Sequence, residues 1–219
     1  EWKKIITDNL GFNNSSIDSK YNVLLTGDSF AFGVCVEKKN EIHNLLNKKG
    51  LKSYSAAFSG NGPLLTLATI IEINKIIEFD QIVWLFFRND FYDLESEANN
   101  LLLTEYLKDD FNGYSYFDNL ENKTNYQKNY IKNNISNNDG FSYWESFIQL
   151  KFINDYINRI FKNKETNHYD NKIIDNIIKV FSLKFKNKKK TIIYLPNQAC
   201  FKKQVEICDK EFLYLKKIT

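Results

Sequence analysis

Val23-Leu24-Leu25-Thr26-Gly27-Asp28-Ser29-Phe30-Ala31-Phe32-Gly33 is the stretch on which the reading of this chain turns. The apolar run Val23 to Leu25 predicts a buried strand, and Gly27 ends it with a residue that turns sharply. A serine follows two positions later, and a helical pattern opens after Glu37. Ligands of an open parallel sheet sit at the carboxyl ends of its strands. Ser29 therefore stands where a parallel α/β protein would keep a nucleophile.

The flanking sequence repeats the same rhythm. Lys39 to Lys49 carries Ile42, Leu45 and Leu46 at helical spacing, and Gly50 closes that helix. Ser53–Phe58 predicts a second strand, running into Ser59-Gly60-Asn61-Gly62-Pro63. Pro63 suits the first turn of a helix that extends to about Ile77. Gln81–Phe87 is the third strand, and its continuous apolarity fits a strand covered on both faces. Strand, helix, strand, helix, strand in the first 90 residues predicts an α/β fold with a doubly wound parallel sheet.

Residues 94–170 interrupt the alternation and read as a helical and loop insertion within a single domain spanning 1–219. Glu95–Leu107 is a predicted helix, 111–140 a long polar loop, and Tyr143–Phe161 an apolar helix packed on the sheet or serving as a cap. Alternation then resumes with a helix over Asn171–Phe185, a strand over Thr191–Leu195 and a helix over Phe201–Lys217. Residues 1–20 read as polar and irregular.

At 219 residues and 43 % hydrophobic, the chain can bury a substantial core. A net charge of +3 with acids and bases interspersed gives no electrostatic case for nucleic acid. The basic run from Lys184 to Lys190 is read as a solvated helix end, with a phosphate patch as the alternative. Three cysteines without a C-x-x-C pattern fit neither a disulfide framework nor a zinc site, and no metal or diffusible cofactor is expected. There is no run of apolar residues long enough for a membrane span. The chain opens at Glu1 and holds no methionine, which reads as a processed protein or an excised fragment.

Three strand ends carry the chemistry. They are Gly27-Asp28-Ser29, Ser59-Gly60-Asn61-Gly62 and Arg88-Asn89-Asp90. In a sheet ordered 2-1-3 these ends share one crevice. Acyl transfer needs a nucleophile and preorganised donors aimed at the oxyanion, one donor being worth about 3–4 kcal/mol of barrier. The backbone N–H groups of Ser29 and Gly60 and the side-chain amide of Asn89 are donors of that kind.

Gly27-Asp28-Ser29-Phe30, Ser59-Gly60-Asn61-Gly62 and Asn89-Asp90 resemble the first three sequence blocks of the SGNH, or GDSL-type, hydrolases, in order and spacing over residues 21–95. The resemblance implies a flavodoxin-like three-layer α/β/α fold. It implies Ser29 as nucleophile, Gly60 and Asn89 as oxyanion donors, and Asp28 and Asp90 in support. The wider string from Gly27 to Val36, with Gly62-Pro63-Leu64 later, is similar to a bacterial subgroup associated with envelope polysaccharide genes, which tilts the expected location toward the cell envelope. The implied activity is ester hydrolysis through an acyl-enzyme, with a small-molecule or glycan ester as substrate. O-acyl transfer to a polysaccharide and a non-catalytic carbohydrate-binding or scaffold protein are the alternatives, and a flavodoxin-like phosphate binder is a further one.

Two departures stand out. Arg88 precedes Asn89 where the family's third block usually reads Gly-x-Asn-Asp or Gly-Asn-Asp, and it could hold an anionic substrate or face solvent. The family's Asp-x-x-His block has no counterpart after residue 195. His43 lies too early and is expected to face solvent, and His168, in Glu165-Thr166-Asn167-His168, precedes the fourth strand and its helix. The expectation is that a fifth strand and the catalytic Asp/His pair lie beyond Thr219, and that residues 1–219 alone are nearly inactive.

Overall fold

The computed structural model describes residues 7–115, 117, 171–196 and 215–216. The chain divides into two compact units, Glu1–Phe117 with Tyr169–Thr219, and Asp118–His168. All described residues belong to the first. The expected helix over Tyr143–Phe161, His168, and most of the expected Phe201–Lys217 helix lie outside them; Leu215 and Lys216 are helical.

Four parallel strands make the sheet among the described residues: β1 (Lys20–Gly27), β2 (Ser53–Ser55), β3 (Glu78–Phe87) and β4 (Lys189–Leu195), in the order β2-β1-β3-β4. The predicted order 2-1-3 is thus observed, with β1 central. Leu24 lies between Tyr54 and Ile82, and Gly27 stands opposite Leu85. Parallel neighbours require crossovers, and the helices supply them. They are α1 (Ser29–Phe32), α2 (Ile42–Lys48), α3 (Pro63–Ile73), α4 (Asp90–Ala98), α5 (Leu101–Thr104) and α6 (Asn171–Lys184).

Successive strand residues point to opposite faces, and both faces are apolar. Leu24, Ile82, Trp84 and Phe86 join the larger core with Leu67, Ile70 and Ile71 of α3 and Ile174, Ile177 and Phe181 of α6. The Trp84 and Phe181 rings meet edge to face at 5.3 Å between centroids. Leu25, Leu85 and Val83 form a smaller cluster with Ala31 and Phe32 of α1 and Ala57.

Three sequence readings change. The Asp8–Asn14 loop is not merely polar and irregular. Asn14 accepts from Ser55 N at 2.9 Å and donates to Ser55 O at 3.0 Å, so its side chain acts as one rung of a missing strand along the open edge of β2. Leu94 and Tyr106 are buried, and Leu103, Leu107 and Phe111 pack on the same core, so residues 94–117 of the expected insertion are part of the α/β unit. The basic run is tied into the fold rather than simply solvated. Lys184 donates to Phe111 O at 2.7 Å, Lys188 to Phe79 O at 2.7 Å and Lys190 to Phe185 O at 3.1 Å.

Candidate active site

The site is set by how β1 ends. Gly27 takes φ +139°, a conformation that L side chains rarely adopt, and the chain leaves the sheet beside Leu85. Asp28 follows as the N-cap of α1, accepting from Phe30 N at 2.9 Å. Ser29 is therefore the first residue of a one-turn helix, where the sequence pattern predicts none before Glu37. Its hydroxyl is half-buried and lies 3.4 Å from Asp28 Oδ2.

The second loop runs alongside. After β2 the chain stays against β1 through Ala56 N to Leu25 O at 2.8 Å and Phe58 N to Gly27 O at 3.3 Å. This brings Ser59-Gly60-Asn61 level with the Gly27–Ser29 turn. Gly60 is exposed, takes φ +86°, and has no atom within 4 Å of a built Cβ, so glycine there serves the turn rather than a close approach. Among the described residues, neither the Ser29 nor the Gly60 backbone N–H has an acceptor.

Asn89 sits at the third strand end, as N-cap of α4. Its Nδ2 donates to Asp93 Oδ2 at 3.1 Å, so Asn89 is tied to α4, and its amide lies near enough to the Asp28 carboxylate to favour that group's charged form. Asn89 Oδ1 is buried and has no partner among the described residues. Asp90 is 1 % exposed, takes Phe87 N on Oδ2 at 3.1 Å, and leaves Oδ1 unbonded. Arg88, one of the two departures from the family pattern, is half-buried rather than free in solvent.

Behind these residues α4 presents a row of carboxyls at Asp90, Asp93 and Glu97, spaced i, i+3, i+7 on one face. Glu97 accepts from Gly62 N at 2.8 Å and Leu64 N at 2.9 Å and so caps α3, an arrangement that leaves no room for a Cβ on Gly62. Sequence reasoning missed Asp93 and Glu97 because it started this helix at Glu95 rather than Asp90. The acidic spacing was the signal that could have found them.

Burial, followed by the Asp28 charge, pushes the Asp90 carboxyl up to about 9. Burial pushes Glu97 up to about 7 against the N–H bonds it accepts. Asp28 and Asp93 are raised as well, burial again leading. A carboxyl raised on folding keeps a proton that the unfolded chain has released, so its contribution is complete at low pH and is lost as pH rises. For Asp90 the window runs from its ordinary 3.8 to about 9. The melting temperature is therefore expected to fall between about pH 5 and pH 9, by roughly 4–8 °C for a differential of about 2 kcal/mol. Asp90→Asn, which mimics the protonated acid, should make that decline shallower. A melting temperature rising over the same span in calorimetry would contradict the assignment.

His43 is placed differently from expectation. It is 3 % exposed, not solvent-facing, with Nε2 3.7 Å from the buried Glu41 Oε2. Its carbonyl accepts from Ser53 Oγ at 2.7 Å, and Ser53 pairs with Val23. That is four residues back from Gly27, roughly 13 Å down the strand. Around His43, Asn44 donates to Glu41 Oε2 and to Lys38 O, and Asn47 accepts from the Ser53 backbone, which holds α2 against β2. His168 lies outside the described residues.

The strand ends, their open N–H groups and the amide at Asn89 are thus gathered at one edge of the sheet. The chain matches no known protein family, no curated protein and no solved structure. The site must accordingly be read from its own geometry. Among the described residues no group of histidine, cysteine, aspartate and glutamate could hold a metal ion, and no helix is long and apolar enough to cross a membrane.

Proposed function

We propose that this chain is a serine-dependent hydrolase of ester bonds on an SGNH-like α/β scaffold, with Ser29 as nucleophile. The observation that supports it is the convergence at the carboxyl edge of β2, β1 and β3. Phe58 N bonds Gly27 O, and β2, β1 and β3 are neighbours in the sheet, so Ser29, Gly60 and Asn89 follow three adjacent strand ends. Ser29 Oγ attacks the ester carbonyl, and the alcohol leaves with a proton. The oxyanion forms against the free N–H groups of Ser29 and Gly60. Asn89 adds a donor if one amide hydrogen turns from its carboxylate partner. Asp28 orients the turn, and Asp90, neutral through burial, anchors α4 to β3.

The reaction also needs a base to take the Ser29 proton. None of the described residues supplies an imidazole at Ser29. Phe30 is half exposed and stacks on Phe87 at 4.3 Å between centroids, which lines one side of Ser29 with an apolar platform.

A slow ester separates this reading from its rivals. Incubating the full-length protein with p-nitrophenyl acetate and quenching early should add one acetyl group to the peptide containing Ser29, seen by mass spectrometry. Supplying a polysaccharide acceptor then distinguishes water from a sugar hydroxyl as the final acyl acceptor. Unlabelled Ser29 with label on another residue would overturn the proposal.

A further inference from the structure

A cavity of about 510 Å³ opens beside this edge, between the outer face of α3 and the segments that precede β1 and follow α4. Its volume falls in the range of small-molecule pockets, which are mostly apolar with a few placed polar groups. Leu65, Ala68, Leu103 and Phe117 line its body, while Phe58 and Asn61 line one end. Those two residues bracket Ser59-Gly60. Phe58 also packs edge to face on Phe32 of α1, at 5.8 Å between ring centroids. The cavity therefore reaches the two residues that flank Ser59-Gly60 in the second strand-end loop.

Several polar groups of the wall are engaged. Thr69 Oγ1 donates to Leu65 O at 2.8 Å, Tyr106 OH donates to Glu72 Oε1 at 2.7 Å, and Asn100 Oδ1 accepts from Leu102 N at 3.0 Å. Asn61 is 5 % exposed, and among the described residues its side-chain amide has no hydrogen-bond partner. An amide at a cavity wall with no protein partner can take a ligand or an ordered water. The Asn61 amide next to Gly60, with apolar side chains lining the rest of the chamber, has the polarity of an acyl group: a carbonyl at one end and a hydrocarbon chain at the other.

We propose that this cavity receives the acyl chain of the ester attacked by Ser29, and that the substrate carries a medium-length saturated acyl chain rather than acetate alone. This rests on the hydrolase reading above, and the test is arranged so that the two can fail separately. Leu65→Trp and Thr69→Trp fill the cavity from partly exposed positions on α3, so either can stand in if the other melts early by circular dichroism.

Two readouts are taken on the full-length protein. The first is calorimetric binding of octanoate to a Ser29→Ala background, which involves no turnover. The second is kcat/KM for p-nitrophenyl octanoate against p-nitrophenyl acetate. The expected result is octanoate binding weakened about tenfold or more by filling, and an octanoate preference of about tenfold or more that collapses in the filled variants while acetate turnover stays within about twofold. Octanoate binding that is absent or indifferent to filling, alongside Ser29-dependent acetate turnover, overturns the cavity assignment and leaves the hydrolase reading standing. Octanoate binding sensitive to filling, with no Ser29-dependent turnover of either ester, supports an acyl-chain cavity and overturns the hydrolase reading.

Discussion

Replacing Ser29 by alanine should lower p-nitrophenyl acetate turnover by the full-length protein about 10⁴-fold or more, because loss of a nucleophile removes the covalent step altogether. The effect should fall on kcat. Stability should barely change, since the hydroxyl is half-buried and its only described partner is Asp28 Oδ2 at 3.4 Å. Asn89→Ala provides the graded comparison. Loss of one oxyanion donor costs about 10²–10³ in kcat. Asn89 also bonds Asp93, so its removal leaves that half-buried carboxylate without its amide partner, and the melting temperature should fall too. A Ser29→Ala protein that retains full turnover would remove Ser29 from the reaction, whatever Asn89 does.

The parts of the fold legible in sequence are those that local chemistry specifies. β1 and β3 are continuous apolar runs that end in glycine or polar residues, and Pro63 marks the start of α3 to the residue. The strand order followed because alternating strands and helices leave few topologies. What could not be read depends on partners distant in sequence. α1 has only four residues and no apolar periodicity; it exists because Asp28 caps it and Leu25 and Leu85 offer its Ala31 and Phe32 a surface. Asn14 looked like loop composition, yet its side chain completes an edge 41 residues away in sequence. His43 looked exposed because its helix is polar, but its side chain is turned inward beside the buried Glu41.

The site shows the same division. Ser29, Gly60 and Asn89 were visible as strand-end residues. Asp93 and Glu97 act through contacts that only the folded chain makes, one holding Asn89 and the other capping α3. Both sit on the helix that Asp90 begins, so a single buried acidic face of α4 positions the third strand end and the start of α3 together. The consequence is that changes to α4 should alter the geometry at Asn89 and at the Gly60–Gly62 loop in concert.

Gly27→Ala should be the most damaging single change to the scaffold. A methyl group there would overlap the Leu85 carbonyl oxygen and lie 3.2 Å from the Ala31 side chain. The first obstacle is backbone of the central strand β3, which cannot rotate away as a side chain could. The second belongs to the helix that presents Ser29. The residue also holds φ +139°, which alanine adopts only under strain. Overpacking and backbone strain together are worth about 3–5 kcal/mol, or a fall of roughly 10 °C in melting temperature for a chain of this size. Gly50→Ala separates the two causes: Gly50 has φ +82° but nothing within 4 Å of a built Cβ. It should cost only about 1 kcal/mol, from strain alone. If the two variants melt within a couple of degrees of each other, the close approach to Leu85 is not what fixes glycine at 27. If Gly27→Ala melts far lower and also loses ester turnover, one atom at the end of β1 governs both the packing of the sheet and the aim of the serine.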